Sequence, residues 1–134
     1  AVVELLASRV DVDKEAQDKK GNTALHYAAM KNNEGVVKRL LEAGANPDTK
    51  NQEGNTALHV AAMKNNEGVV KRLLEAGATV DQAREDGKTP LMMAVEKGHK
   101  AVVRVLEENG ADWKKLIYMD TPLIILIASE NTQR

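Results

Sequence analysis

Six residues, Gly21-Asn22-Thr23-Ala24-Leu25-His26, return as Gly54-Asn55-Thr56-Ala57-Leu58-His59 and, altered, as Gly87-Lys88-Thr89-Pro90-Leu91-Met92, with each glycine 33 positions beyond the last. A weaker copy stands at Thr121-Pro122-Leu123, with Pro122 32 positions after Pro90. Near the start, Val2-Val3-Glu4-Leu5-Leu6 matches the later half of the unit, Val36-Val37-Lys38-Arg39-Leu40-Leu41, and the array is expected to open mid-repeat. A period of this length constrains the fold more than any other feature. One unit is too short to enclose a core, so units must shelter one another along a stack.

Within a unit the pattern is that of a helical hairpin. Thr23 is placed to cap a short apolar helix, and Pro90 and Pro122 follow their threonines at a first helical position that tolerates proline. Asn32-Asn33, or Gly98 in the third unit, breaks that helix at residue types that accept left-handed backbone. Val36, Val37, Leu40 and Leu41 then form one apolar stripe on a second helix, which Gly44 closes. The polar segment leading to the next Gly-x-Thr reads as a projecting loop.

These motifs, Gly-x-Thr-Ala/Pro-Leu-His with Ala-Ala after it and then Val-Val-x-x-Leu-Leu-x-x-Gly-Ala, resemble the ankyrin repeat family over nearly the whole chain. The resemblance implies an all-α solenoid of stacked antiparallel helix pairs, slightly curved, with turns projecting from one edge. It also implies that partners dock on the turn tips and the exposed side of the first helices. The expected organisation is a single domain, with a half repeat at 1–17, repeats at 18–50, 51–83 and 84–116, and a closing half repeat at 117–134. The last unit departs from the pattern: Ile124 replaces the histidine, and Leu126-Ile127 the Ala28-Ala29 pair.

Composition removes several functional classes. Nineteen Lys and Arg against 20 Asp and Glu leave a net charge of −1, which provides no general field for nucleic acid or an anionic membrane. The absence of cysteine excludes thiolate catalysis, thiolate metal sites and disulfides, and fits a reducing compartment, so a cytoplasmic location is expected. The longest apolar run, Leu123 to Ala128, is far below the roughly 20 residues of a spanning helix. Three histidines and no cysteine leave little to assemble a nucleophile, base and oxyanion site, so no enzyme activity and no cofactor are expected.

From Gly21 to Asn46 and from Gly54 to Thr79 the central units differ only at Tyr27/Val60 and Asn46/Thr79. Such identity fits a recent duplication or an engineered copy, and the second is the favoured reading. The chain could then be a purely structural array with no natural ligand; a regulatory fragment of a larger protein is a further reading. Remodelled caps, and hence a monomer, are expected at the ends. The alternative is that the closing half unit of one copy completes the opening half unit of another, head to tail. Trp113 is expected to fill space over the shortened final turn.

Three motifs that mimic ligand sites dissolve on inspection. His26 and His59 lie one repeat apart, and stacked helices are separated by about 8 to 10 Å, too far for one metal, so each is read as bridging its own turn to the next. Met92 forfeits that bridge, which predicts a looser turn at Gly87. Gly87-Lys88-Thr89 ends like a phosphate loop, but Gln82 stands where the earlier glycine is needed. Asp11-Val12-Asp13 starts like a calcium loop but has Ala16 and Asn22 at the places of its glycine and final acid.

Candidate partner-binding residues are therefore surface positions. The tips change sign along the stack, from Lys19-Lys20 through Gln52-Glu53 to Glu85-Asp86, which would orient a partner of opposite polarity. Asn22, Asn55 and Lys88 flank them. Lys31, Lys64 and Lys97 form a row at the ends of the first helices, beside Met30 and Met63, and Glu34, Glu67 and Glu96 are expected to interleave with it as a solvated face. Three cations neutralise too few phosphates for nucleic acid, so a protein partner is expected. Tyr27 is expected in the core with its hydroxyl at the edge, the alternative being an aromatic anchor.

Overall fold

A computed structural model describes residues 14–114, all of whose regular elements are helices. First helices α1 (Ala24–Met30), α3 (Ala57–Met63) and α5 (Pro90–Lys97) alternate with second helices α2 (Glu34–Glu42), α4 (Glu67–Glu75) and α6 (Lys100–Glu108). Each helix packs on its hairpin partner and on its counterpart in the adjoining unit, α1 on α3 on α5 and α2 on α4 on α6. The result is a two-layer stack, as the repeat pattern requires.

Columns of equivalent residues build the core. Leu25, Leu58 and Leu91 come from the first helices, and Val36, Val69 and Val102 with Leu40, Leu73 and Leu106 from the second; all belong to one continuous apolar cluster. That continuity is what a unit with an unsheltered stripe must find in its neighbours. Trp113 packs against the same cluster, partly buried. The alanines Ala28, Ala29, Ala61 and Ala62 are almost fully buried, and their small size lets first helices approach closely. The hairpin turns use left-handed residues at Asn32 (φ 56°), Asn65 (φ 59°) and Gly98 (φ 74°), the positions where the sequence breaks the first helices.

The polar loops are clasped from unit to unit by a series of acids the sequence reading missed. Glu15 Oε2 accepts from the Asn46 amide (2.7 Å), Asp48 from the Thr79 amide and hydroxyl (2.9 and 2.7 Å), and Asp81 from the Asp112 amide (3.2 Å). The acids recur at the repeat period, a signal that was present in the sequence. The site is exposed, so Asp48→Ala is expected to cost about 1 to 2 kcal/mol in urea unfolding. An unchanged midpoint would show that the clasp contributes nothing.

Residues 1–13 and 115–134 lie outside the described residues, and with them the Asp11-Val12-Asp13 string, the Leu126-Ile127 replacement and both halves of the proposed head-to-tail contact.

Candidate functional site

Each projecting tip is a tight turn braced against its neighbour. Gly21 N–H donates to Asp18 O (2.9 Å), Gly54 N–H to Asn51 O (3.0 Å) and Gly87 N–H to Arg84 O (2.9 Å). Asp18 Oδ1 accepts from the amides of Lys20 and Asn22 (both 2.9 Å), and Asn51 Oδ1 from those of Glu53 and Asn55 (both 3.0 Å), the short-range pairing that suits Asp and Asn to turns. Between tips, Gln52 N–H donates to Lys20 O (2.9 Å) and Gln17 Nε2 to Lys50 O (3.1 Å), while Lys50 Nζ donates to Ala83 O (2.9 Å).

Asn22 and Asn55 are corrections to the expected partner-binding set. Both are buried, 8% and 2% exposed, because their side-chain oxygens accept from the next tip: Asn22 from Asn51 Nδ2 (2.9 Å) and Asn55 from Arg84 Nη1 (3.2 Å). They hold adjacent turns together and offer a partner no side-chain surface. Lys88, half-buried, is likewise committed, through an ion pair with Glu96 (2.9 Å). With Thr89's hydroxyl accepting from Met92 N–H (3.3 Å), the phosphate-loop mimic is spent on local structure.

What remains at the tips is charge. Lys19 and Lys20 are exposed at the first, Gln52 and Glu53 at the second, Glu85 and Asp86 at the third. Asp86 is partly neutralised by Arg84 (3.3 Å) and accepts from the Lys88 amide (3.1 Å), so among the described residues Glu85 is the unpaired acid of that tip.

At the other ends of the first helices, the acids expected to interleave with the lysines each pair with another cation. Glu34 pairs with Arg72 (3.9 Å), Glu67 with Lys71 (3.3 Å) and Glu96 with Lys88. Lys31, Lys64 and Lys97 are exposed and make no ion pair among the described residues. Met30 and Met63 beside them are half-buried against the core.

Tyr27 is exposed, not a core residue. Its twin Val60 is buried on α3, which has first helices on both sides, whereas the only first helix packed on α1 among the described residues is α3. The hydroxyl donates to Asp18 and holds that carboxyl below its ordinary value, with the Asn22 amide adding to the effect; the same bond raises the Tyr27 phenol.

The buried histidines are structural. His26 Nδ1 accepts from Thr23 N–H (3.0 Å) and His59 Nδ1 from Thr56 N–H (3.1 Å), while each threonine hydroxyl caps the histidine amide. On the other side of the ring, His26 Nε2–H donates to Asn55 O (2.8 Å) and His59 Nε2–H to Lys88 O (3.0 Å). A carbonyl only accepts, so each ring is the neutral Nε2–H tautomer with no lone pair free for a metal. No cluster able to hold a metal ion occurs among the described residues. The turn at Gly87 lacks a bridge from Met92 but keeps the one arriving from His59; among the described residues it therefore has one histidine link, as the turn at Gly21 does, and the turn at Gly54 has two. Asn66 and His99 add staples: Asn66 Nδ2 donates to Ala29 O (2.6 Å) and His99 Nε2–H to Met63 O (3.0 Å).

A continuous stack of capped helical hairpins with clasped projecting turns defines a helical repeat array. A family model described as ankyrin repeats (3 copies) matches residues 1–84 and again 35–117, and the chain belongs to the ankyrin repeat family. No curated protein matches the sequence. Ankyrin repeats generally serve as protein–protein interaction modules and are generally non-catalytic. Among the described residues, no helix is long and apolar enough to cross a membrane.

Proposed function

We propose that this chain is a non-catalytic module that holds a protein partner on its turn tips and on the exposed ends of its first helices. One observation carries the reading: Lys19, Lys20, Glu53 and Glu85 are exposed on turns locked by hydrogen bonds to their neighbours. A rigid scaffold presenting side chains that make no internal commitment loses little entropy on docking. The reversal of sign along the tips favours a partner with acid at one end of its contact and base at the other. The lack of cysteine favours a reducing compartment such as the cytoplasm, and the near-neutral charge disfavours nucleic acid or membrane as partner.

The test is capture from a lysate by the wild type and by a variant carrying Lys19→Glu, Lys20→Glu, Glu53→Lys and Glu85→Lys, with thermal melts to establish equal folding. A partner identified by mass spectrometry and lost on reversal, by tenfold or more (about 1.4 kcal/mol), supports the tip surface. An unchanged partner set moves the site elsewhere. The near-identity of the central units favours a second reading, an array copied from one unit with no natural ligand, for which neither protein captures anything above background.

A further inference from the structure

The hairpin ends opposite the tips carry a charge pattern that folding does not explain. Lys31 and Lys64 cap the C-termini of their helices and Lys97 ends α5, where the helix dipole favours a cation. Lys100 is different. It is the first residue of α6, the position held by Glu34 in α2 and Glu67 in α4, and α6 has no acid in its first turn. A cation there opposes the dipole and weakens the helix. The acids nearest the row are each engaged by another cation, Glu34 by Arg72, Glu67 by Lys71 and Glu96 by Lys88. Lys31, Lys64, Lys97 and Lys100 are all exposed and unpaired among the described residues, so positive charge runs along this edge and thickens at its third unit.

We infer that this edge is a docking surface for an acidic amphipathic helix of a protein partner, lying along the stack with carboxylates at seven-residue spacing on the lysines. The inference rests on the reading of the chain as a protein-binding module. Geometry selects the helix. Neighbouring units are about 10 Å apart, and an α-helix advances about 10 Å in seven residues, so one carboxylate meets each lysine. A nucleic-acid strand carries a charge about every 3.4 Å and would leave most of its phosphates unmatched. Met30 and Met63, half-buried beside the row, supply adaptable apolar contact between the charges, which a free polyanion could not use. Lys100 serves as a fourth contact at the end of the row, retained at a cost to the stability of α6.

The probe is a synthetic alanine-rich helical peptide of about 22 residues, with glutamate at three positions seven apart and leucines between them, titrated by fluorescence anisotropy and by amide shifts of the labelled protein. Shifts are expected to concentrate at Lys31, Lys64 and Lys97 to Lys100. Lys64→Glu with Lys97→Glu should weaken binding about tenfold or more, whereas Lys38→Glu on the second helix should leave it within about twofold. Lys100→Glu separates function from folding: it should weaken the peptide several-fold while raising Tm by a few degrees. Loss of binding with a lowered Tm would make Lys100 structural and overturn the assignment. A peptide with its three glutamates contiguous that binds equally well, or an oligouridylate that does so, overturns it in favour of unspecific anion attraction. Should lysate capture depend on the tips while the edge binds no peptide, this inference falls and the binding-module reading stands. Capture of nothing by either surface removes both.

Discussion

Gly21→Ala is expected to destabilise the protein by about 3 kcal/mol, roughly twice the effect of the same change at Gly87, although the two glycines occupy the same place in the repeat. Both have positive φ, 79° and 85°, so alanine pays a left-handed penalty of about 1 to 2 kcal/mol at either. The difference is what the new methyl meets. At Gly21 it would stand 2.7 Å from the backbone nitrogen of Gln52, the group that donates to Lys20 O, and backbone cannot swing away as a side chain can. Among the described residues nothing lies within 4 Å at Gly87, and at Gly54 the nearest atom is Arg84 Cβ at 3.5 Å, an ordinary contact. Chemical unfolding of the three alanine variants should rank Gly21 well above the other two. Equal costs would mean that the first two tips are not clasped.

That contrast shows where the sequence stops being informative. The period, the capping threonines and the Val-Val-Leu-Leu stripe each follow from local chemistry repeated three times, and so the helical stack, its single core and the bridging role of His26 and His59 were legible from the residues alone. Most of the errors concern what one unit does to the next. Asn22 and Asn55 sit beside exposed tips in the sequence, but the stacking register sets Asn51 and Arg84 against them and buries both. Tyr27 and Val60 share a sequence context, and among the described residues the number of first helices packed on each distinguishes an exposed phenol from a buried valine. Lys71 takes Glu67 at the i,i+4 spacing visible in the sequence, whereas Arg72 reaches Glu34 from the next unit and Lys88 reaches Glu96 from the tip, choices of rotamer and neighbour that spacing does not encode. The partner surface inherits this limit. Its scaffold was visible from the repeat, whereas the identity of its unpaired groups emerged only when every other group had been matched.

His59 should prove the most costly single side chain to remove, and its contribution should depend on pH in a defined direction. Alanine at this position deletes a buried ring, leaves the Thr56 amide without its acceptor and strips the Lys88 carbonyl of one of its two donors, the Arg84 amide remaining, for an expected loss of about 3 to 5 kcal/mol near neutral pH. Burial holds the imidazole pKa down, from 6.5 to about 4, with Arg84 and Lys50 adding repulsion, against the opposing pull of the bond to Lys88 O and of Asp86. His26 is shifted the same way, again by burial first. Because the folded pKa lies below the unfolded one, the unfolded chain binds more protons between them. The stability from His59 is therefore complete above about pH 6.5 and is lost as pH falls through the folded pKa near 4. A shift of this size corresponds to about 3 kcal/mol, so most of the advantage of wild type over His59→Ala should vanish across that window. Urea unfolding of both proteins at several pH values reads the difference directly. A gap that stays constant down to pH 4 would place the origin of the effect in the size of the ring, because packing does not titrate, and would remove the neutral Nε2–H tautomer from its place as the link between successive turns.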